Sequence, residues 1–178
     1  MLAQASLITI TSVEVGPDLK HATAYIMPLG GYATLIGIYG VGLTGFLTWA
    51  VAAKRLPRRI PLRDVLLFGV ASHKLTRIVT KDFVTSPLRA PFVAFKRSAL
   101  PGEVSETSRG HGLRRAMGDL VTCEICSAPW IAGALLATHA IHPRLGRFLS
   151  GLFATVAVSD LMNHAYKAAA TRAQAAKG

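Results

Sequence analysis

The chain has 178 residues, enough for one domain or one helix bundle with a loop of its own. Hydrophobic residues make up 51%, yet 20 Lys and Arg against 9 Asp and Glu leave a net charge of +11. A water-soluble core explains the first figure poorly, and nucleic-acid binding would explain only the second. A membrane protein with basic loops explains both, because Lys and Arg gather on the cytoplasmic side of membrane spans.

Residues 1–28 read as an extracytoplasmic lead. The opening "MLAQASLITITSVEVGPDLK" lacks a basic start and is interrupted by Glu14 and Asp18, so it predicts no cleavable signal peptide. Its "SLITITSVEV" alternates as a strand does. Residues 29–60 form the first transmembrane helix and its stop. No charged residue stands between His21 and Lys54, whereas a hydrocarbon core needs only about 20 helical residues. The best span is Ala33 to Ala53, with Trp49 as an interfacial anchor and "KRLPRR" behind it. Gly37 and Gly45 bracket a small-residue surface that would let another helix, or a second copy, approach closely.

Pro61 opens a segment whose period is helical but whose apolar core is short. Phe68, Ala71, Leu75 and Ile78 share one face, and His73, Arg77 and Lys81 recur on the other. This predicts an amphipathic helix along the inner leaflet or at the bundle's edge. A full crossing would bury His73, Lys74 and Arg77 at about 3 kcal/mol for each central charge, a cost that snorkelling near the helix end lowers, so a crossing stays open. Residues 81–122 read as a basic loop, with "PGEVSETSRGHG" as its flexible part. Its cations suit a solvated surface facing anionic lipid headgroups. Aromatic residues do not interleave with them as stacking platforms, which argues against nucleic acid.

Residues 127–166 predict a helical hairpin, with arms Ser127–His142 and Phe148–Ala168 joined by a tight turn at "PRLG". Asp160 is the acid inside the second arm, and an acid at membrane depth calls for a partner. His139, His142 or a basic residue of the amphipathic helix would serve. Residues 167–178 form a basic tail. The fold class expected is therefore an all-α integral membrane bundle of about three spans plus an inner-leaflet helix. The protein is assigned to the cell membrane as a multi-pass chain, and counting positive charges puts the large loop in the cytoplasm.

"ASHKLTRIVTKDFVTSPLRAPF", residues 71–92, followed by "CEIC" and Trp130, resembles the domain-of-unknown-function family numbered 1360. These are small bacterial membrane proteins, some with sporulation-associated names. The matching positions are Leu75, Thr76, Arg77, Asp82, Pro87, Leu88, Arg89, Cys123, Cys126 and Trp130, within about residues 65–165. The family-like domain is drawn as 61–166. Glu-Ile between the cysteines departs from the aromatic or proline residues expected there. The resemblance implies a membrane location and no established activity.

Cys123 and Cys126 are the two cysteines of the chain. As a zinc clip they supply two soft ligands where a structural site needs four, so His73, His111, Asp119 or a second subunit would have to contribute. As a redox dithiol they sit near a helix N-terminus, which favours the thiolate, with Glu124 opposing it. As an inert pair they do neither. Arg77, Asp82 and Arg89 alternate in charge and predict an ion-pair network fixing the amphipathic helix to the loop. No Walker sequence, HExxH or GxSxG motif is present. Two functions follow: a non-catalytic membrane component or assembly factor, or a thiol- or metal-dependent protein centred on Cys123 and Cys126.

Overall fold

The computed structural model describes residues 8–15, 22–57, 59–99 and 102–175. Residues 1–7 and 16–21 of the lead, Arg58 of the basic stop, Leu100 and Pro101 of the loop, and 176–178 of the tail lie outside them. The lead forms an antiparallel hairpin, β1 (Ile8–Val15) with β2 (Ala22–Pro28), pairing Ile8 with Pro28 and Val15 with Ala22 across a register shift between Ile10 and Ser12.

Helix α1 (Leu29–Ala52) follows at once. It ends in a Schellman-type turn, in which the Arg55 amide donates to the Ala50 carbonyl at 2.8 Å. Lys54 takes the left-handed position (φ 52) where glycine usually stands. Helix α2 (Leu62–Thr80) starts after Pro61, whose fixed φ suits the position before a helix. Phe68 and Ala71 of α2 are buried with Leu135, and Leu75, Ile131 and Phe153 pack around them. That cluster marks the seam where three helices meet.

The segment expected as a loop is built. A 3₁₀ turn (Phe83–Thr85) leads into one helical turn, α3 (Ser86–Arg89). A second antiparallel hairpin follows, β3 (Val93–Ser98) with β4 (Val104–Ser108), its inner face marked by buried Val93 and Val104. Helix α4 (Gly112–Thr122) leads to α5 (Glu124–Ile141) through an 85° bend at Cys123. Helix α6 (Pro143–Ala175) begins one residue after α5 ends, so "PRLG" is its first turn and His142 alone makes the break. The helices close tightly there: a Cβ on Gly146 would lie 2.5 Å from His139 Cα.

The fold is mostly helical, not wholly so, since two hairpins are present. Among the described residues α1 and α6 are long and apolar enough to cross a membrane, and α4–α5 makes a third if the bent pair counts as one span.

Contacts fix the helix directions. Tyr32 bonds Asp119, Tyr39 stacks on Trp130 with ring centres 4.9 Å apart, and Arg55 reaches the Ile141 carbonyl at 3.4 Å, so α1 runs parallel to α4–α5. Asp64 meets Arg147 at 3.1 Å and Lys74 meets Asp160 at 2.7 Å, so α2 runs back beside α6. One end of the bundle thus gathers the 54–61 turn and the α5–α6 break. The other gathers the start of α1, the β3–β4 hairpin and the start of α5. Helix α2, expected along the inner leaflet or at the bundle's edge with a crossing left open, packs on both α5 and α6, and the basic turn and the large loop stand at opposite ends of the bundle.

Candidate functional site

The end of α2 carries a dense polar junction. The turn after Thr80 and α3 fold Arg89 back beneath the helix, where it is 3% exposed. Its Nε donates to Glu106 Oε2 at 2.7 Å, and Nη1 donates to the Val79 carbonyl and Thr85 Oγ1, each at 2.6 Å. Nη2 reaches the Asp82 carbonyl at 3.2 Å. Ser86 Oγ donates to the other Glu106 oxygen at 2.5 Å. A planar five-donor fork can join three chain segments in this way, whereas a lysine cannot. Arg77 pairs with Glu103 and stands 4.0 Å from Glu124.

The expected Arg77–Asp82–Arg89 network is therefore corrected in its acid. Glu103 and Glu106, delivered by the β3–β4 hairpin, take the carboxylate roles. Asp82 contributes its main chain, accepting from Arg89 and Thr85 and bridging to Glu103. Lys74 pairs with Asp160 deeper along the bundle, and Trp130 lies one turn into α5 against Tyr39.

Cys123 sits at the α4–α5 bend and Cys126 in the first turn of α5. They are joined as a disulfide with Cα atoms 5.2 Å apart. The Cys126 amide also donates to Cys123 Sγ at 3.3 Å, capping the helix. Among the described residues no three His, Cys, Asp or Glu side chains gather as metal ligands. Asp119, one of the anticipated helpers, is engaged by Tyr32 and lies 3.9 Å from Arg115. The donor set shown does not fit zinc, which needs four ligands.

Two adjoining hollows run from this junction to the other end of the bundle. The first, about 580 Å³, lies between α2 and α5 and is lined by Val65, Gly69, Ser72, Thr76 and Ala128, with Glu124 at its end. Thr76 Oγ1 is buried without a hydrogen-bond partner. The second, about 530 Å³, opens at the basic turn, where Lys54, Arg55, Arg59 and Arg147 surround apolar Phe46 and Leu47. Ile60, Phe68 and Leu136 line both, so the two hollows meet at these side chains and are treated together as one trough. The sequence reading missed this trough, and the basic "KRLPRR" beside an apolar helix end was its available signal.

A family model described as "Protein of unknown function (DUF1360)" matches residues 67–166, from α2 into α6. The chain is also similar to "Sporulation protein YjcA" of Bacillus subtilis (strain 168), 28% identical over 101 residues. That alignment covers 55% of this chain and 86% of the relative. No solved structure matches the chain.

Proposed function

The chain belongs to the DUF1360 family of proteins of unknown function, and we propose that it is an integral, non-catalytic membrane component. Four helices (α1, α2, α5 and α6) cross the bilayer, and the hairpin unit 81–122 caps one end. The observation that carries this reading is the pairing of charges along α2. Asp64 meets Arg147, Lys74 meets Asp160, and Arg77 meets Glu103, while α1 and α6 turn exposed apolar side chains such as Ile36, Val41 and Leu161 outward. In water each such pair contributes about 0–1 kcal/mol. At membrane depth an unpaired charge costs about 3 kcal/mol, so internal pairing lets a polar helix cross.

The hairpin unit carries Lys81, Arg89, Lys96, Arg97, Arg109, Arg114 and Arg115 and the tail adds Lys167, Arg172 and Lys177, ten cations against seven at the 54–63 turn and the α5–α6 corner, so the hairpin end is assigned to the cytoplasm. The 54–63 turn then faces the other compartment. The glycine face of α1 stays open within the chain, since a Cβ on Gly37 or Gly45 meets nothing within 4 Å. A second copy or a membrane partner is assigned to that face. Carbonate extraction of membranes from expressing cells tests the reading: the protein should stay in the pellet, and release into the supernatant would end it.

The Cys123–Cys126 pair favours a second reading, thiol–disulfide exchange, because Cys126 is exposed at a helix N-terminus. Under that reading Cys123→Ser leaves the exposed Cys126 to trap a partner as a mixed disulfide, visible on a non-reducing gel. A gel showing monomer alone would favour the scaffold.

A further inference from the structure

The trough joining the two hollows combines features found together in sites for amphiphiles. Its long part, between α2 and α5, follows α5 from Glu124 to Ala140, a helical rise of about 24 Å. That exceeds half of the ~30 Å hydrocarbon thickness, a length that suits one acyl chain. The first hollow alone, at about 580 Å³, is within the ~300–1,000 Å³ range of small-molecule sites. Its mouth lies at the end of α1, where the left-handed Lys54 turns "KRLPRR" back over the helix end.

The charge at that mouth is one-sided. Lys54, Arg55, Arg59 and Arg147 line it, with Asp64 as its acid. Asp64 is already held by Arg147 at 3.1 Å and approached by Arg63 at 3.8 Å. Lys54 and Arg59 take part in no ion pair among the described residues. Cations that cluster where an apolar trough opens complement a phosphate attached to a chain.

We propose that the trough is a binding site for one anionic phospholipid-type amphiphile, its phosphate on Lys54 and Arg59 and one acyl chain between α2 and α5. The site rests on the membrane reading above, which sets the mouth at the headgroup level. The observation specific to it is the meeting of a basic mouth with an apolar trough, which a generic basic surface lacks.

The test uses the full chain purified in detergent, so it does not depend on carbonate extraction. Native mass spectrometry follows titration with phosphatidylglycerol, with phosphatidylcholine of matched chains, and with glycerol phosphate as competitor. One phosphatidylglycerol should bind, at least about tenfold more tightly than phosphatidylcholine. Lys54→Gln/Arg59→Gln, on an exposed turn, should erase that preference. Gly69→Leu fills the trough from a position whose added Cβ meets nothing within 4 Å, and it also removes a helix glycine, so the fold is kept. It should weaken both lipids about tenfold. Equal binding of the two lipids by the unaltered protein would overturn the proposal, as would unchanged binding in Gly69→Leu. Full displacement by glycerol phosphate would also overturn it, leaving an anion site without a chain.

Discussion

Arg89→Met keeps the length and apolar stem of the side chain and removes the fork. Four hydrogen bonds go with it, to Glu106, Thr85 and the carbonyls of Val79 and Asp82. Glu106, whose side chain is 2% exposed, keeps only Ser86. An exposed pair would cost at most about 1 kcal/mol to break, but stranding one member of a buried pair costs about 3–5 kcal/mol. For a chain of this size that is a drop of roughly 6–20 °C in Tm. Circular dichroism melts of the protein in detergent measure it, and hydrogen exchange should show early opening of 93–108. The double variant Arg89→Met/Glu106→Leu removes the stranded charge and should recover much of the loss. A single variant melting within about 1 kcal/mol of the parent, or a double variant no better than the single, would refute a buried charge clamp.

Gly146→Ala should destabilise by about 1–3 kcal/mol, because the new methyl meets the α5 backbone at His139. Gly151→Ala, which meets nothing within 4 Å, should be neutral or stabilising in the same melts. Lys74→Met in nanodiscs should cost about 3 kcal/mol by leaving Asp160 unpaired at membrane depth, and adding Asp160→Asn should restore most of it. A loss under about 1 kcal/mol would instead describe a pair in water. Thr76→Val removes a buried hydroxyl that has no partner, so its melt should match or exceed the parent's; a loss above about 1 kcal/mol would show that the hydroxyl is satisfied.

The helices were readable wherever a single local property decides them. The uncharged run before Lys54 determines α1, and the period of Phe68, Ala71 and Leu75 determines α2 together with the face it buries. The β3–β4 hairpin was not readable in the same way. "VSETS" is polar by composition, and Val104 is its one apolar residue turned to the core. Short strands like these are held by their partners and not by their own pattern. Missing the hairpin meant missing the acids: Glu103 and Glu106 lie far along the chain from Arg77 and Arg89, and only strand register returns them. Asp82 was the nearer acid in sequence and the wrong one in space. The direction of α2 was lost for a related reason. Lys74 and Arg77 look prohibitive until Asp160 and Glu103 are named as their partners on other elements, and Asp64 with Arg147 cannot be inferred from α2 alone.

Two single cysteines, introduced in a Cys123→Ser/Cys126→Ser background, ask directly whether α2 crosses the membrane. Leu56→Cys marks the basic turn and Ser98→Cys the β3–β4 hairpin, both at exposed positions. A membrane-impermeant maleimide is applied to intact cells and again after permeabilisation. With four crossing helices, Leu56→Cys labels in intact cells and Ser98→Cys only after permeabilisation. Labelling of both under the same condition would set the turn and the hairpin on one side and contradict the four-helix crossing.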